Sequence, residues 1–378
     1  MIEIKVPATT ANIGPGFDTL GIALSLYDVF EVSRSSHWAV EGCDPMYRGE
    51  DNLFLQSYRN VQRLLGVDAR PVRVNIRAGI PVARGLGSSA ALCVGGAAAA
   101  LLLAGGNGAA SVARGRMCSG EVPRSGERVF FDQETQGFLE DAASALEGHP
   151  DNAVPAVRGG FCAAFRSETL GGQNPGAIGS GATPNAVPYA DSGAIGSGSA
   201  DPLRAAAENS SAGFHTVASR SRVAASWRFH ALIPPFELET KNARAILPAS
   251  ISRADAVFNI GRAVLVSQAI AAADADLLGA ACDDRIHQPY RQSLIAGYQE
   301  LKAACASAGA RAFWLSGSGP TLMALTVGPA QTREFSDSIE AFLKDFHGAG
   351  PVAAGKRTWT HRCLRPDNKG VWYVVHPD

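Results

Sequence analysis

Pro81-Val82-Ala83-Arg84-Gly85-Leu86-Gly87-Ser88-Ser89-Ala90-Ala91 limits the folds open to this chain more than any other segment. Two glycines stand one residue apart, two serines follow, and the apolar run Leu92–Ala104 begins at once. Glycine admits left-handed backbone dihedrals and lets other atoms approach the main chain. Backbone N–H groups arranged this way converge into a concavity that attracts anions. A helix starting directly behind the loop adds its unpaired N–H groups and the positive end of its dipole. The pattern predicts a break at Gly79-Ile80-Pro81, a loop able to hold phosphate, and a buried helix that Ser88 or Ser89 could cap. The serine hydroxyls can also donate to phosphate or ligate Mg²⁺. From the loop alone three readings compete. A Walker loop requires Gly-Lys-Ser/Thr, which is missing. A dinucleotide fingerprint is matched by Gly85, Gly87 and Ala90, but residues 104–120 carry no acid to meet a ribose. An ordinary glycine turn capping a core helix is the third.

The chain has 378 residues, 46% of them hydrophobic, and a formal net charge of −1. That suffices for two domains, or one large α/β unit with insertions, and excludes wholesale disorder. The near-zero charge argues against a nucleic-acid scaffold. Seven cysteines, an odd number with no C-x-x-C pair, argue against a disulfide framework or zinc knuckle and favour a reducing cytoplasm. Met1 to Lys5 lacks the apolar stretch of a signal peptide, and Leu92–Ala104 is too short to span a bilayer.

Alternation predicts strands over Ile2–Val6, ended by Pro7, and over Val72–Ile76. Further strands are expected at Leu20–Val32, Trp227–Ile233, Ala310–Leu315 and Thr321–Val327. Helices are expected at Ala254–Ala273, Tyr290–Ala308 and Glu334–Phe346. Strands and helices mix without regular βαβ repetition, which points to the α+β class. Two stretches, about 105–131 and 167–221, are rich in Gly, Ser, Ala, Asn or Arg. The second contains Gly176-Ala177-Ile178-Gly179-Ser180-Gly181 and repeats it at Gly193 to Gly198. Such composition buries too little apolar surface to offset chain entropy, so both are expected to be mobile surface insertions.

P-x-x-x-G-L-G-S-S-A-A resembles the ATP loop of the GHMP kinases, the small-molecule kinases of galactose, homoserine, mevalonate and phosphomevalonate, at all of its positions, Pro81 to Ala91. Pro7-Ala8-Thr9-Thr10-Ala11-Asn12-Ile13-Gly14-Pro15-Gly16-Phe17-Asp18 and Leu315-Ser316-Gly317-Ser318-Gly319-Pro320-Thr321 are similar to the family's terminal motifs. Glu147-Gly148-His149-Pro150-Asp151-Asn152 followed by Gly159-Gly160-Phe161, Thr240-Lys241-Asn242-Ala243-Arg244, and Asp284 to Arg291 resemble the branch that phosphorylates homoserine. Ala153-Val154 departs from that branch only in order.

The resemblance implies a two-layer α/β N-terminal domain (ribosomal protein S5 domain 2-like) in residues 1–166 and a ferredoxin-like α+β C-terminal domain in 222–378. It implies ATP and Mg²⁺ as cofactors and L-homoserine as acceptor in threonine biosynthesis, in a cytoplasmic enzyme that could be a homodimer. Residues 81–91 and Asn52 would hold the nucleotide, though Asn52 could equally cap a helix. Asn12, Asp18, His149, Asp151, Thr240, Arg244, Arg291 and Gly317 would orient the substrate, with the arginines forking a carboxylate. Ser88 and Glu147 would hold the metal, with Glu140 or Asp141 as alternatives to Glu147. Asp18, Asn12 and Asn152 stand nearest the chemistry; Asn152, an amide, cannot serve as a base. Another GHMP kinase, or a non-catalytic sensor on the same fold, would share most of these motifs.

Overall fold

The computed structural model of the protein describes residues 1–104, 126–168, 214–346 and 358–376. β1, Ile2–Ala11, sends Ile2, Ile4, Val6 and Ala8 into the core by its two-residue period. β2, Leu20–Arg34, pairs with it antiparallel from Ile2↔Val32 to Ala11↔Gly21. The expected end of β1 at Pro7 is therefore wrong. The strand runs through the proline, and a register shift between Pro7 and Ala8 accommodates the missing N–H.

An eight-stranded sheet grows around this pair. β3, Ala39–Glu41, lies parallel to β4, Val72–Arg77, which pairs with β2. β5, Val129–Phe130, sits at the other edge. β6, Phe161–Glu168, pairs with β2 and with β7, Phe214–Ser221. A second, antiparallel sheet is ordered β11 (Thr360–Leu364), β8 (Trp227–Ile233), β10 (Leu322–Val327), β9 (Ala312–Leu315). β12, Trp372–Val375, leaves that unit and lies between β1 and β5.

Three boundaries differ from expectation. Phe214–Ser221 and Val129–Phe130 are strands, although both fell within the expected insertions. Backbone pairing with β6 and β12 holds them despite their polar or short sequences. The cores of those insertions, 105–125 and 169–213, and the mobility expected of them, lie outside the described residues. The C-terminal unit does not run unbroken to the end, because β12 covers the open edge of β1 and buries Trp372, Tyr373 and Val374.

Among the described residues the helices are α1 (Leu53–Leu64), α2 (Ser88–Leu103), α3 (Gln133–Glu147), α4 (Ala153–Arg158), α5 (Thr240–Ala245), α6 (Arg253–Ala272), α7 (Ala275–Ala281), α8 (Gln288–Arg291), α9 (Tyr298–Ser307) and α10 (Pro329–Asp345). The single helix expected over 290–308 is split, because Gly297 takes φ +78° and starts α9 afresh. Leu301, Phe335, Ile339 and Leu343 bring α9 and α10 onto Leu315, Leu322 and Ala324 of the smaller sheet. Among the described residues no helix is long and apolar enough to cross a membrane.

α2 is the buried axis of the larger unit, with Ala and Gly on every side. Its N-cap is Gly87, not a serine, so no side chain occupies the first-turn N–H groups there. A Cβ at Gly95 would stand 2.6 Å from the Phe30 ring, and one at Gly96 would stand 2.2 Å from the Phe54 carbonyl oxygen. These glycines let α1 and β2 close on α2. Gly96→Ala forces backbone apart in a packed core and is expected to lower unfolding stability by about 1–3 kcal/mol, read from urea denaturation followed by circular dichroism.

Candidate active site

Three loops interlock over the start of α2. In the first, Asn12, Ile13 and Asp18 have φ of 68°, 44° and 52°, a left-handed geometry costing about 1–3 kcal/mol per residue. Asn12 holds it in place. Its Oδ1 accepts from the Asp18 N–H at 2.9 Å, and its Nδ2 donates to Gly317 O at 2.8 Å. The third loop answers with Gly317 N–H to Ala11 O at 3.1 Å. The second loop, 81–89, is tied to both: Thr9 N–H donates to Leu86 O at 3.1 Å, and Ser316 Oγ donates to Gly85 O at 2.6 Å. A Cβ on Gly85 would lie 2.3 Å from Ser316 O, and one on Gly87 would lie 2.0 Å from Thr9 Oγ1. Both glycines also have left-handed φ, so close approach and dihedral demand the same residue.

The loops open onto a cavity of about 530 Å³. From the glycine loop, Val82, Ala83, Gly85, Gly87, Ser88 and Ser89 line it, whereas Pro81, Arg84, Leu86, Ala90 and Ala91 do not. Leu86, Ala90 and Ala91 are wholly buried in the core. Arg84 turns away, donating to the carbonyls of Pro234 and Pro235 and pairing with Glu237 at 3.2 Å. Six of the eleven residues expected to hold the nucleotide thus line the cavity, and five lie outside its lining.

On the opposite wall stand the charged residues. Arg244 grips Asp18 with two parallel bonds, Nη1 to Oδ2 at 2.9 Å and Nη2 to Oδ1 at 2.8 Å. Arg291 is buried; Nε donates to Ala243 O at 3.0 Å, and Nη1 reaches Gly317 O and His287 Nδ1 at 3.3 Å. Burial, then the neighbouring Arg244, lowers its pKa to about 10, so it stays cationic at neutral pH. Both guanidinium groups lie over the Phe17 ring, at 5.6 and 5.2 Å from its centre, and Phe17 stacks on His287. His287 must donate through Nε2 to Gly14 O at 2.8 Å, since a carbonyl only accepts; burial depresses its pKa and keeps it neutral. Asp284 accepts from the N–H groups of Ile286, His287 and Gln288 at the entry to α8.

His149 is the opposite case. Burial works against its imidazolium, but the Asp151 carboxylate, 2.5 Å from Nδ1, outweighs that and, with Asp18 and Glu147 nearby, raises its pKa to about 9. Asp151, itself buried, is held below the usual carboxylate range because His149 and its hydrogen bond offset the cost of burial. Asp18, His149 and Asp151 cluster within 4.8 Å and could surround a cation, but metals bind neutral imidazole, not imidazolium. Asn152 is fixed by Thr9 Oγ1, which donates to its Oδ1 at 2.7 Å, and it donates to Asp151 at 3.3 Å. Thr240 Oγ1 lies 3.3 Å from Ser318 Oγ at the mouth.

Beside the glycine loop, Ser89 Oγ donates to Glu147 Oε1 and Cys93 Sγ lies 3.5 Å from the same oxygen. Glu147 and Ser88 line the cavity together. The two alternatives to Glu147 do not. Glu140 is buried in an ion pair with Arg158. Asp141 accepts from the Thr216 N–H at 2.6 Å and faces a separate cavity of about 260 Å³. Asn52 caps α1: its Oδ1 accepts from Phe54 N–H at 2.9 Å and its Nδ2 donates to Tyr47 O at 2.7 Å. Its amide thus caps α1, and the residue also lines the cavity.

Sequence reasoning missed the apolar end of the cavity, formed by Cys43, Met46, Tyr47, Leu53, Ile76, Ile80 and Leu92, with the carboxylate of Asp28 among them. Ile76, Leu53 and Leu92 come from β4, α1 and α2, Met46 and Tyr47 from a 3₁₀ turn at Pro45–Tyr47, Asp28 from β2, and Cys43 and Ile80 from connecting segments; no local motif joins them. Phe17 lay in a motif but without a charge to single it out.

The linkage of His149 gives a pH signature. Its folded pKa of about 9 lies above the ordinary 6.5, so the stabilisation is complete below pH 6.5 and fades as pH rises through about 9. Thermal melts should show a decline between pH 7 and 10 that is shallower in His149→Asn.

The GHMP kinases N terminal domain matches residues 52–118, and the GHMP kinases C terminal region matches residues 266–345. A homoserine kinase from Clostridium botulinum is 32% identical over 372 residues, covering 98% of each chain. One from Moorella thermoacetica is 34% identical over 361 residues, covering 92% of this chain and 98% of its own. The crystal structure of homoserine kinase from Cytophaga hutchinsonii superposes with a TM-score of 0.66 at 20% identity, covering 99% of this chain and 97% of that one. Phosphomevalonate kinase from Streptococcus pneumoniae gives 0.57 at 13% identity over 90% of this chain and 97% of its own, the same fold at greater distance. With interlocked glycine loops over a helix start, a fold shared with both kinases, and end-to-end identity to curated relatives, this chain belongs to the GHMP kinases, within the homoserine kinase family.

Proposed function

We propose that the chain phosphorylates the side-chain hydroxyl of L-homoserine with the γ-phosphoryl group of ATP, giving O-phospho-L-homoserine for threonine biosynthesis. One observation carries the reading. A single cavity joins a glycine loop at a helix N-terminus to a wall where Asp18, Arg244 and Arg291 present the charges an amino acid needs. The loop fits a phosphate chain because it ends at Gly87, where α2 begins with no side chain capping its first-turn N–H groups. Ser88, Ser89 and Glu147 form a hard oxygen donor set suited to Mg²⁺. A bound Mg²⁺ would neutralise charge on the phosphates. Glu147 would exchange its bond from Ser89 for that role.

Asp18 and Arg244 were each expected to meet the substrate, and here they meet one another. A zwitterion can take over this pair group for group, its ammonium against Asp18 and its carboxylate against Arg244, so each charge trades one partner for another. Arg291 adds positive charge behind Arg244, and the His149 imidazolium adds more beside Asp18. Asn12 and Asn152 are positioning residues, since their amides are engaged by Gly317, Asp18, Thr9 and Asp151. No residue is placed as a strong base. With a loose transition state the hydroxyl needs orientation and charge screening more than early deprotonation.

ADP release with L-homoserine, set against L-serine, L-threonine and mevalonate, tests the reading; mevalonate turned over faster than homoserine would refute it. Arg244→Ala should lower kcat/KM for homoserine by about 100-fold, the scale of unpairing a partly buried charge, with the KM for ATP changed only a few-fold.

A reducing, cytoplasmic setting is supported by the free state of Cys43, Cys93, Cys162, Cys282, Cys305 and Cys363. We also propose a homodimer through α6, where Val257, Ile260 and Val264 are 64%, 64% and 53% exposed at helical spacing. Analytical ultracentrifugation should find a dimer in the parent chain and a monomer in Ile260→Glu.

A further inference from the structure

The apolar end of the cavity contains a carboxylate that the phosphoryl-transfer reading leaves without a task. Asp28 lies on β2, opposite Val6, and is only 3% exposed. Its Oδ1 accepts two backbone hydrogen bonds, from Gly79 N–H at 2.8 Å and Ile80 N–H at 2.9 Å. These two residues form the turn that leads into the glycine loop. Among the described residues no hydrogen bond reaches Oδ2, yet Asp28 lines the cavity beside Ile76, Ala78 and Ile80. A carboxylate oxygen that opens onto the cavity and meets no protein donor is met by water or by a donor from a ligand, and a ligand that expels the water must supply that donor. Burial raises the pKa to about 6, opposed by the two N–H donors, so the group remains largely an anion at neutral pH.

Position defines the donor. If phosphates lie on the loop from Gly85 to Ser89 and the amino acid lies against Arg244, the remaining space is the apolar end, suited to a flat aromatic base. We infer that Asp28 Oδ2 accepts a hydrogen bond from the exocyclic amine of the adenine base and thereby selects ATP over purine nucleotides without that amine. This rests on the ATP-dependent reading above. Asp28 thus has two functions through two oxygens. One fixes the turn at the mouth of the phosphate loop, and the other reads the base. Selection of this kind is strong because an analogue without the donor leaves a buried anion unmet.

The test compares ATP with purine riboside 5′-triphosphate, which differs only in lacking the amine. In the parent enzyme kcat/KM should be higher for ATP by on the order of 10- to 100-fold, the range of a hydrogen bond to a charged group. Asp28→Asn keeps an oxygen for Gly79 and Ile80 but turns an amide NH₂ toward the base, so the preference should collapse to within about two-fold. Equal kcat/KM for the two nucleotides in the parent enzyme overturns the inference whatever the variant does. Unchanged discrimination in a folded Asp28→Asn also overturns it. Displacement of a fluorescent ADP by ADP and by purine riboside diphosphate measures the same preference without turnover. Equal displacement removes Asp28 alone, whereas no nucleotide binding at all removes both this inference and the ATP-dependent reading.

Discussion

The close contact between Gly85 and the Ser316–Gly319 loop is the constraint on which the site depends. A side chain at Gly85 would strike Ser316 O at 2.3 Å and Gly319 O at 2.7 Å, so no other residue lets these backbones meet. The contact joins a loop leading into α2 to a loop between two strands of the smaller sheet. Ser316 Oγ seals it by donating to Gly85 O and lies 2.9 Å from Thr10 Oγ1. Thr10 also accepts from Trp314 Nε1 at 3.0 Å, which carries the connection into the core of the C-terminal unit. The glycine-loop end of the cavity is therefore a product of two units pressed together, with the left-handed Asn12–Ile13 pair closing the third side.

Charge follows from the same packing. Asp18, Asp151 and Asp284 face His149, Arg244 and Arg291 across a few residues, and the two signs nearly balance. Asp18 pairs with Arg244 and Asp151 with His149, while carbonyl oxygens meet Arg291 and backbone N–H groups meet Asp284, which makes their burial tolerable. The packing also gives the two histidines opposite states. His149, against Asp151, holds its proton, while His287 is kept neutral by burial and by the Arg291 guanidinium. Two residues of the same type thus hold different charge states within one cluster.

The parts of the site that were legible in sequence are those where one short segment must meet a local demand. Gly85, Gly87, Asn12, His149, Asp151, Asn152 and Arg244 all lie in compact motifs, and all line the cavity. Asn52 was legible twice over, as ligand and as cap; its bonds to Phe54 and Tyr47 make the cap, and the residue also lines the cavity. β7 and β12 were not legible. Ser-rich β7 is held by backbone pairing to β6, and β12 is apolar enough to belong to either unit. Asp28 was invisible for the same reason: the turn it holds lies 51 residues away in the chain.

The return of β12 has a mechanical consequence. The chain crosses between the two units once from β7 to β8 and again from β11 to β12, so the smaller unit is anchored to the larger at both ends. Leu24 bridges to Pro366, and Asp367 accepts from Tyr27 Oη at 2.7 Å and from the N–H groups of Lys369 and Gly370 along that second crossing. The Tyr27 hydroxyl is buried enough, and close enough to Asp367, that its pKa rises far above that of free tyrosine, so it remains a donor. Groups from the smaller unit that line the cavity, Thr240, Arg244, Arg291 and Gly317, are thereby held against a loop and helix start that belong to the other unit. Orientation of two reactants across such a boundary is worth rate only if the boundary does not drift. A doubly anchored unit is a physical means of holding it.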